Sequence, residues 1–213
     1  MGDSITSGQH VDSRLRWTSL VDAHLGAAFG DGTAISYHAG VPGETTRQGL
    51  ERFPRDVQEC EPDLLTLQFG MNDCNRWETD NGLPRVSEAA FGANLVEMID
   101  RARHFGVRHV ILATNPPSLR IRPVPPFEEA YEDANARYSE IVREVAAETG
   151  VELCDVRAGF EAFALEELRP LLLDPPDLLH LSATGHARYA ELIWTSLARA
   201  AAGLLGRAEP ALS

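Results

Sequence analysis

The sequence predicts an α/β domain of three layers, α/β/α, in which helices cover both faces of a parallel sheet of about five strands. Strand-like and helix-like segments alternate along all 213 residues, with room for right-handed βαβ crossovers. Residues 64–69 are a nearly continuous apolar run, as expected of a strand buried on both faces, and residues 107–114 are predicted as another buried strand. The length suits one core of this kind, so we expect a single domain over residues 1–213.

The other elements follow from helical periodicity and from turn residues. Predicted helices cover residues 13–29, 46–59 with a break near Pro54, 87–104, 127–148 and 182–205. Short strands are predicted over residues 34–37 and 151–154. Ser87 suits the N-cap of the helix that follows it, and Gly106 ends that helix. Residues 74–86 and 116–126 are irregular and follow strand ends, where open α/β sheets bind ligands.

The composition excludes several classes of protein. A net charge of −13 leaves no basic surplus for nucleic acid or for an anionic membrane surface. No apolar run approaches a membrane span, and no basic segment followed by an apolar core opens the sequence. We therefore expect a cytoplasmic location, unless a leader precedes Met1. Three scattered cysteines predict neither a disulfide framework nor a zinc knuckle.

Three residues together have the composition of a nucleophilic site. Ser4 lies close to the start of the chain, and Asp177 and His180 stand three residues apart near its other end. Serine is a poor nucleophile until a histidine takes its proton, and a carboxylate holds that histidine in the right tautomer. For Ser4 alone, an N-cap role is an equally good reading, but the acid–histidine pair favours acyl transfer.

Four short blocks carry a resemblance to a known family. They are Gly-Asp-Ser-Ile-Thr at residues 2–6, Gly-Val-Pro-Gly-Glu-Thr-Thr at 40–46, Gly-Met-Asn-Asp at 70–73 and Asp-Leu-Leu-His at 177–180. In this order and spacing they resemble the GDSL-type esterases of the SGNH hydrolase family. The resemblance implies a flavodoxin-like fold and hydrolysis of a small carboxylic ester, or a thioester, through an acyl-serine intermediate. It implies no cofactor, and the sequence contains no HExxH-like metal pattern.

The same resemblance implies three donors for the oxyanion. They are the backbone N–H groups of Ser4 and Gly43 and the side-chain amide of Asn72, which are types of donor suited to a developing negative charge. Turn roles remain the alternative for Gly43 and Asn72. The acyl group is expected to be short, because no large apolar lid segment is visible.

Four nearby residues each have more than one predicted role. Asp73, Cys74, Arg120 and Arg122 lie in the irregular segments and are possible substrate-loop residues. Asp73 could instead order its loop, Cys74 could be a core filler or a rival nucleophile, and the arginines could be solvated. His186 is a rival to His180, but its place inside the last helix favours packing.

The sequence departs from the family pattern at two places. His38 stands where the family usually has asparagine, which predicts a change in loop support or substrate contact. Only Met1 precedes Gly2, where the family has the central strand of its sheet. We therefore expect a sheet whose first central strand is missing or truncated, and our hypothesis is that the true start lies upstream. The alternative function is a catalytically impaired binding or interaction domain that keeps the fold.

Overall fold

A parallel sheet forms the centre of the molecule in the computed structural model, which describes residues 1–210. Its strands are β1 (Leu64–Gln68), β2 (His109–Ala113) and β3 (Glu152–Cys154), in the order β1-β2-β3. All pairings are parallel, with Leu65 opposite Val110 and Leu112 opposite Leu153. The predicted α/β class with a parallel sheet is confirmed.

The predicted number of strands is wrong, because only three segments form full strands within residues 1–210. Two further segments reach the sheet only through single bridges, in which Gly2 pairs in parallel with Gly40 and with Gln68. The Gly2 N–H donates to the Ala39 carbonyl at 3.1 Å, and the Gln68 N–H donates to the Met1 carbonyl at 3.1 Å. Met1 and Gly2 thus occupy one end of a strand position between residues 39–40 and β1.

Helices pack on both faces of this sheet. They are α1 (Ser4–Ser7), α2 (Trp17–Phe29), α3 (Thr46–Phe53), α4 (Glu88–His104), α5 (Tyr131–Thr149), α6 (Val156–Glu161), α7 (Leu165–Leu168) and α8 (Ala183–Leu205). A π-helical turn, Pro54–Gln58, follows α3 at the predicted break. None of the helices in the described part of the chain has the length and apolar character needed to cross a bilayer.

Alternating residues of the strands pack into two separate hydrophobic cores. Leu65, Leu67, Val110 and Leu112 pack with α3, α4 and α5, whereas Ile111 and Ala113 pack with α2, α6 and α8. The alternation follows from the two-residue period of a β-strand, which sends neighbouring side chains to opposite faces. The three layers predicted from the sequence are therefore present.

A groove interrupts the sheet next to Met1. Residues 34–37, predicted as a strand, form none, and the side chains of Ile35 and Tyr37 are 79% and 60% exposed. A cavity of about 490 Å³ lies here. We call it the strand groove, and its lining includes residues 33–39, Leu64–Thr66 and the α8 side chains Leu197, Leu204 and Leu205. The strand prediction fails because residues 34–37 have no strand beside them with which to form hydrogen bonds.

Arg52 and the amino terminus close the inner end of the strand groove. The guanidinium of Arg52 donates to the carbonyls of Gly2 at 2.9 Å and Ala39 at 3.0 Å, and pairs with Glu44 and Asp56. The Met1 amino group donates to the Thr66 carbonyl at 2.7 Å. Burial, with a contribution from Arg52, lowers the pKa of this amino group to about 5. A charged group is therefore disfavoured at this position.

Candidate active site

Ser4 is the first residue of the short helix α1 and follows the carboxyl end of the strand position that Met1 and Gly2 occupy. Asp3 is the N-cap, and its Oδ1 accepts from the Ile5 N–H at 2.9 Å. The indole N–H of Trp17 donates to the Ile5 carbonyl at 3.0 Å. Ser4 is only 5% exposed. No helix is predicted at Ser4 from the sequence, because a helix of four residues has no periodicity to detect.

Ser4, His180 and Asp177 form a continuous hydrogen-bonded chain. Ser4 Oγ lies 2.9 Å from His180 Nε2, and His180 Nδ1 lies 2.8 Å from Asp177 Oδ2. The other carboxylate oxygen of Asp177 accepts from the backbone N–H groups of Leu179 at 3.0 Å and His180 at 2.6 Å. Burial opposes ionisation, but these hydrogen bonds outweigh it and lower the pKa of Asp177. A carboxylate at Asp177 fixes the Nδ1–H tautomer, leaving Nε2 to accept a proton from Ser4.

The loop that carries Asp177 and His180 is held by the segment that follows β2. The Leu119 N–H donates to the Leu178 carbonyl at 2.8 Å, and Arg120 Nε donates to the Asp177 carbonyl at 2.8 Å. Leu178 itself has φ 55°, a conformation that is costly for a residue with a Cβ. Arg120 thus supports the backbone of the loop that carries Asp177 and His180, which we call the acid–histidine loop. Arg122 is exposed. The structure gives Arg120 this supporting contact, and its contact with substrate stays a prediction.

The side-chain amide of Asn72 has an unused donor. Asn72 follows β1, and its Nδ2 is buried with no hydrogen-bond partner among the described residues. A buried donor without an acceptor costs about 1–3 kcal/mol, so this group is available to donate to a bound molecule. Gly43 lies in an exposed turn at φ 80°, and Arg85 donates to its carbonyl at 2.8 Å. The positive φ is accessible to glycine at little cost.

Asp73 and Cys74 face the interior, so neither is positioned to meet substrate. One oxygen of Asp73 accepts from the backbone N–H of Thr46 at 2.9 Å and from its hydroxyl. Burial raises the pKa of Asp73 to about 6. Cys74 is 1% exposed in the core, and burial raises the pKa of its thiol. Asp73 therefore orders its loop, and the buried, protonated Cys74 is excluded as a rival nucleophile.

A second buried carboxyl group, Asp3, was not singled out in the sequence analysis. Asp3 is fully buried beside Ser4, and its Oδ2 has no hydrogen-bond partner in the described part of the chain. Burial raises its pKa to about 7, with a smaller contribution from the charge of Asp73. The sequence feature that could have identified Asp3 is its position directly before Ser4, because aspartate commonly caps the start of a helix.

Three further histidines have different surroundings: one packs in the core, one pairs with an aspartate, and one lies beside His180. His186 is 1% exposed, its Nδ1 accepts from the Trp17 N–H at 3.3 Å, and burial lowers its pKa to about 4. The expected packing role is confirmed. His38 Nε2 lies 2.8 Å from Asp22 Oδ2. His10 lies with its ring centroid 5.3 Å from that of His180.

Comparison with known families agrees with this arrangement. The model of the GDSL-like lipase/acylhydrolase family matches residues 1–188. The chain belongs to this family. The resemblance stated from the four blocks is therefore confirmed.

Curated relatives match parts of the chain. Esterase TesA of Pseudomonas aeruginosa is 28% identical over 132 residues, covering 62% of this chain and 61% of TesA. Across the curated relatives it matches, the chain spans between 46% and 61% of their length.

Solved structures match nearly the whole chain. A lipase/acylhydrolase from Enterococcus faecalis superposes with a TM-score of 0.72 at 27% identity, covering 92% of each chain. A mutant of Axe2, an acetylxylan esterase from Geobacillus stearothermophilus, superposes with a TM-score of 0.70 at 23% identity, covering 99% of this chain and 94% of Axe2. The second likeness shows the fold alone.

Proposed function

We propose that the protein hydrolyses a small carboxylic ester through an acyl-Ser4 intermediate. The observation that carries this proposal is the unbroken chain from Ser4 Oγ through both ring nitrogens of His180 to Asp177. Each contact is 2.8–2.9 Å, which is hydrogen-bond reach for a nucleophile, its base and the group that orients the base. Membership of the GDSL-like lipase/acylhydrolase family supports the same reaction.

His180 moves protons in both halves of the reaction. Ser4 Oγ attacks the ester carbonyl carbon while His180 Nε2 takes the hydroxyl proton, and the carbonyl oxygen becomes an oxyanion. Collapse of this intermediate breaks the bond to the alcohol, which leaves with the proton from His180. A water molecule then attacks the acyl-enzyme, again with His180 as base, and the acid and free Ser4 are released. Asp177 stabilises the imidazolium that forms in each half.

We propose that the oxyanion is bound by the three hydrogen-bond donors expected from the sequence. The unpaired Nδ2 of Asn72 supports a role as side-chain donor, since an oxyanion would satisfy it only when charge develops. The N–H groups of Ser4, at the start of α1, and of Gly43, in its open turn, are the proposed backbone donors.

A short acyl group is the proposed substrate preference. Axe2 acts on acetylated xylan by its name, and an acetyl or other short-chain ester is the form we propose for this chain. A series of p-nitrophenyl esters from acetate to laurate tests this preference. The highest kcat/KM is expected for acetate or butyrate, and a maximum at the long esters would overturn it.

Replacing the nucleophile tests the reaction itself. Ser4→Ala should remove turnover of p-nitrophenyl acetate while leaving the circular dichroism spectrum and Tm unchanged. Ser7→Ala is the matched control, because Ser7 lies in the same short helix and is only half-buried. Turnover that survives in Ser4→Ala at the wild-type rate would remove Ser4 from the mechanism.

A further inference from the structure

The turn after α1 brings a second histidine to the rim of the proposed active site. α1 ends at Gly8, the Gln9 N–H donates to the Ser4 carbonyl at 3.1 Å, and the Val11 N–H donates to the Gly8 carbonyl at 3.3 Å. His10 lies between these two contacts, with an exposed side chain and φ 71°. Its ring meets that of His180 edge to face, at an interplanar angle of 78°. His10 has no part in the reaction described above.

His10, Asp177 and His180 can each offer one ligand atom to a cation. These atoms all lie within 4.8 Å of one another. The ligands of a tetrahedral Zn²⁺ at 2.0–2.2 Å lie about 3.3 Å apart. The cluster must therefore close by roughly 1.5 Å, and the exposed side chain of His10 is free to make this movement by rotation. Two imidazoles and a carboxylate leave a fourth position for water.

We propose that His10, Asp177 and His180 form a binding site for Zn²⁺ that inactivates the Ser4 nucleophile. Imidazole suits Zn²⁺ and other borderline divalent ions, whereas Mg²⁺ takes oxygen ligands and keeps its water. The metal is an inhibitor here and takes no part in the hydrolysis. Inhibition rests on the proposed function, whereas binding of the ion does not.

Coordination removes the base whichever ring nitrogen of His180 is used. If Zn²⁺ binds Nδ1, the single ring proton of neutral His180 leaves Nδ1 and is carried on Nε2 instead, so that no proton is lost overall. Nε2 then has no free lone pair for the proton of Ser4. If Zn²⁺ binds Nε2, the lone pair is taken directly. In both cases Ser4 loses its proton acceptor, and the acylation step stops.

Zinc inhibition of the wild type and of His10→Ala tests the proposal. Micromolar ZnCl₂ should inhibit hydrolysis of p-nitrophenyl acetate by the wild type, EDTA should restore it, and MgCl₂ should have no effect. His10→Ala should keep the metal-free kcat/KM but require at least about tenfold more Zn²⁺, since loss of even an outer partner costs 10–100-fold. Equal sensitivity of wild type and His10→Ala would overturn the site.

Two further variants, His38→Ala and Ser4→Ala, separate binding of Zn²⁺ at the proposed site from other causes of inhibition. His38→Ala removes another exposed histidine–carboxylate pair, that of His38 with Asp22, which has no third metal ligand beside it within residues 1–210. This variant should be inhibited like the wild type. Calorimetric titration of Ser4→Ala with ZnCl₂ should still show one site, which His10→Ala in the same background removes. Absence of that site in Ser4→Ala would overturn the proposal even if the hydrolase function holds.

Discussion

The two ends of the strand position next to β1 differ in how completely they are packed. At the carboxyl end, Ser4, His180 and Asp177 form a closed set of hydrogen bonds. At the other end, the strand groove leaves a cavity of about 490 Å³ beside Met1 and exposes Ile35. The comparison shows that the triad geometry is held by Trp17, by the segment after β2 and by the Arg52 contacts, without a full central strand behind Ser4.

The largest effect on stability is expected from replacing Arg52, which contacts the backbone of Gly2 and Ala39. Arg52→Met removes the donors to the Gly2 and Ala39 carbonyls and leaves Glu44 and Asp56 without their buried partner. Removing one member of a buried ion pair costs about 3–5 kcal/mol. Urea unfolding should show a loss of this size.

The matched control for this change is Arg55→Met, because Arg55 is 71% exposed and also pairs with Asp56. Its cost should stay below about 1 kcal/mol, as for other surface pairs. Equal losses in the two variants would show that the strand-groove end does not depend on the buried clamp.

At the catalytic end, Asn72 should matter for rate and not for stability. Asn72→Ala removes a donor that has no partner in the resting structure, so we expect kcat to fall by about 10²–10³ with little change in Tm. Asn75→Ala is the control, since Asn75 lies in the same segment and accepts from the Arg76 N–H. A fall in kcat of less than about threefold, against this 10²–10³ expectation, would reduce Asn72 to a turn residue.

Filling the strand groove should stabilise the fold. A Val/Ile/Leu segment of about five residues fused before Met1 can pair with β1 and cover Leu64 and Leu65, and it removes the buried amino group. Burying even one or two such side chains is worth at least about 2 kcal/mol. A Gly/Ser segment of the same length is the control. If both fusions unfold at the same urea concentration, the groove does not accept a strand.

A smaller effect is expected from Asp3 and depends on pH. Its pKa of about 7 means that the folded protein keeps this proton between about pH 4 and 7 while the unfolded chain releases it. The stabilising contribution is therefore fully present below about pH 4 and is lost progressively as pH rises to about 7. Asp3→Asn should gain more stability over the wild type at pH 8 than at pH 5.

Urea titrations of wild type and Asp3→Asn at the two pH values measure this gain. Asp100→Asn, at an exposed position of α4, serves as the control and should behave alike at both. A difference between Asp3→Asn and the wild type that does not change with pH would contradict the raised pKa.

Elements with strong local signals were predicted well from the sequence. Helices α4 and α8 combine a long apolar periodicity with serine N-caps at Ser87 and Ser182, and β1 and β2 are mostly apolar. The short helices α1, α6 and α7 were missed, because four to six residues cannot show a period of 3.6. The strand at residues 34–37 failed for another reason, since a strand exists only with a neighbour.

The residues of the site also divide into those that could be predicted from the sequence and those that could not. Ser4, Asp177 and His180 could be named because their residue types and order carry the chemistry. The roles of Arg120 and His10 could not, since each depends on a contact with the acid–histidine loop more than 50 residues away in sequence. Asp73 and Cys74 were placed near substrate because adjacency in sequence to Asn72 does not tell which side chains turn inward.

Covalent labelling of the wild-type protein with a fluorophosphonate tests most directly whether the triad works beside an incomplete sheet. The intact mass should rise by one adduct, peptide mapping should place it on Ser4, and His180→Ala should label far more slowly. A folded wild-type protein that takes up no adduct on Ser4 would contradict the account and favour a binding domain without catalysis.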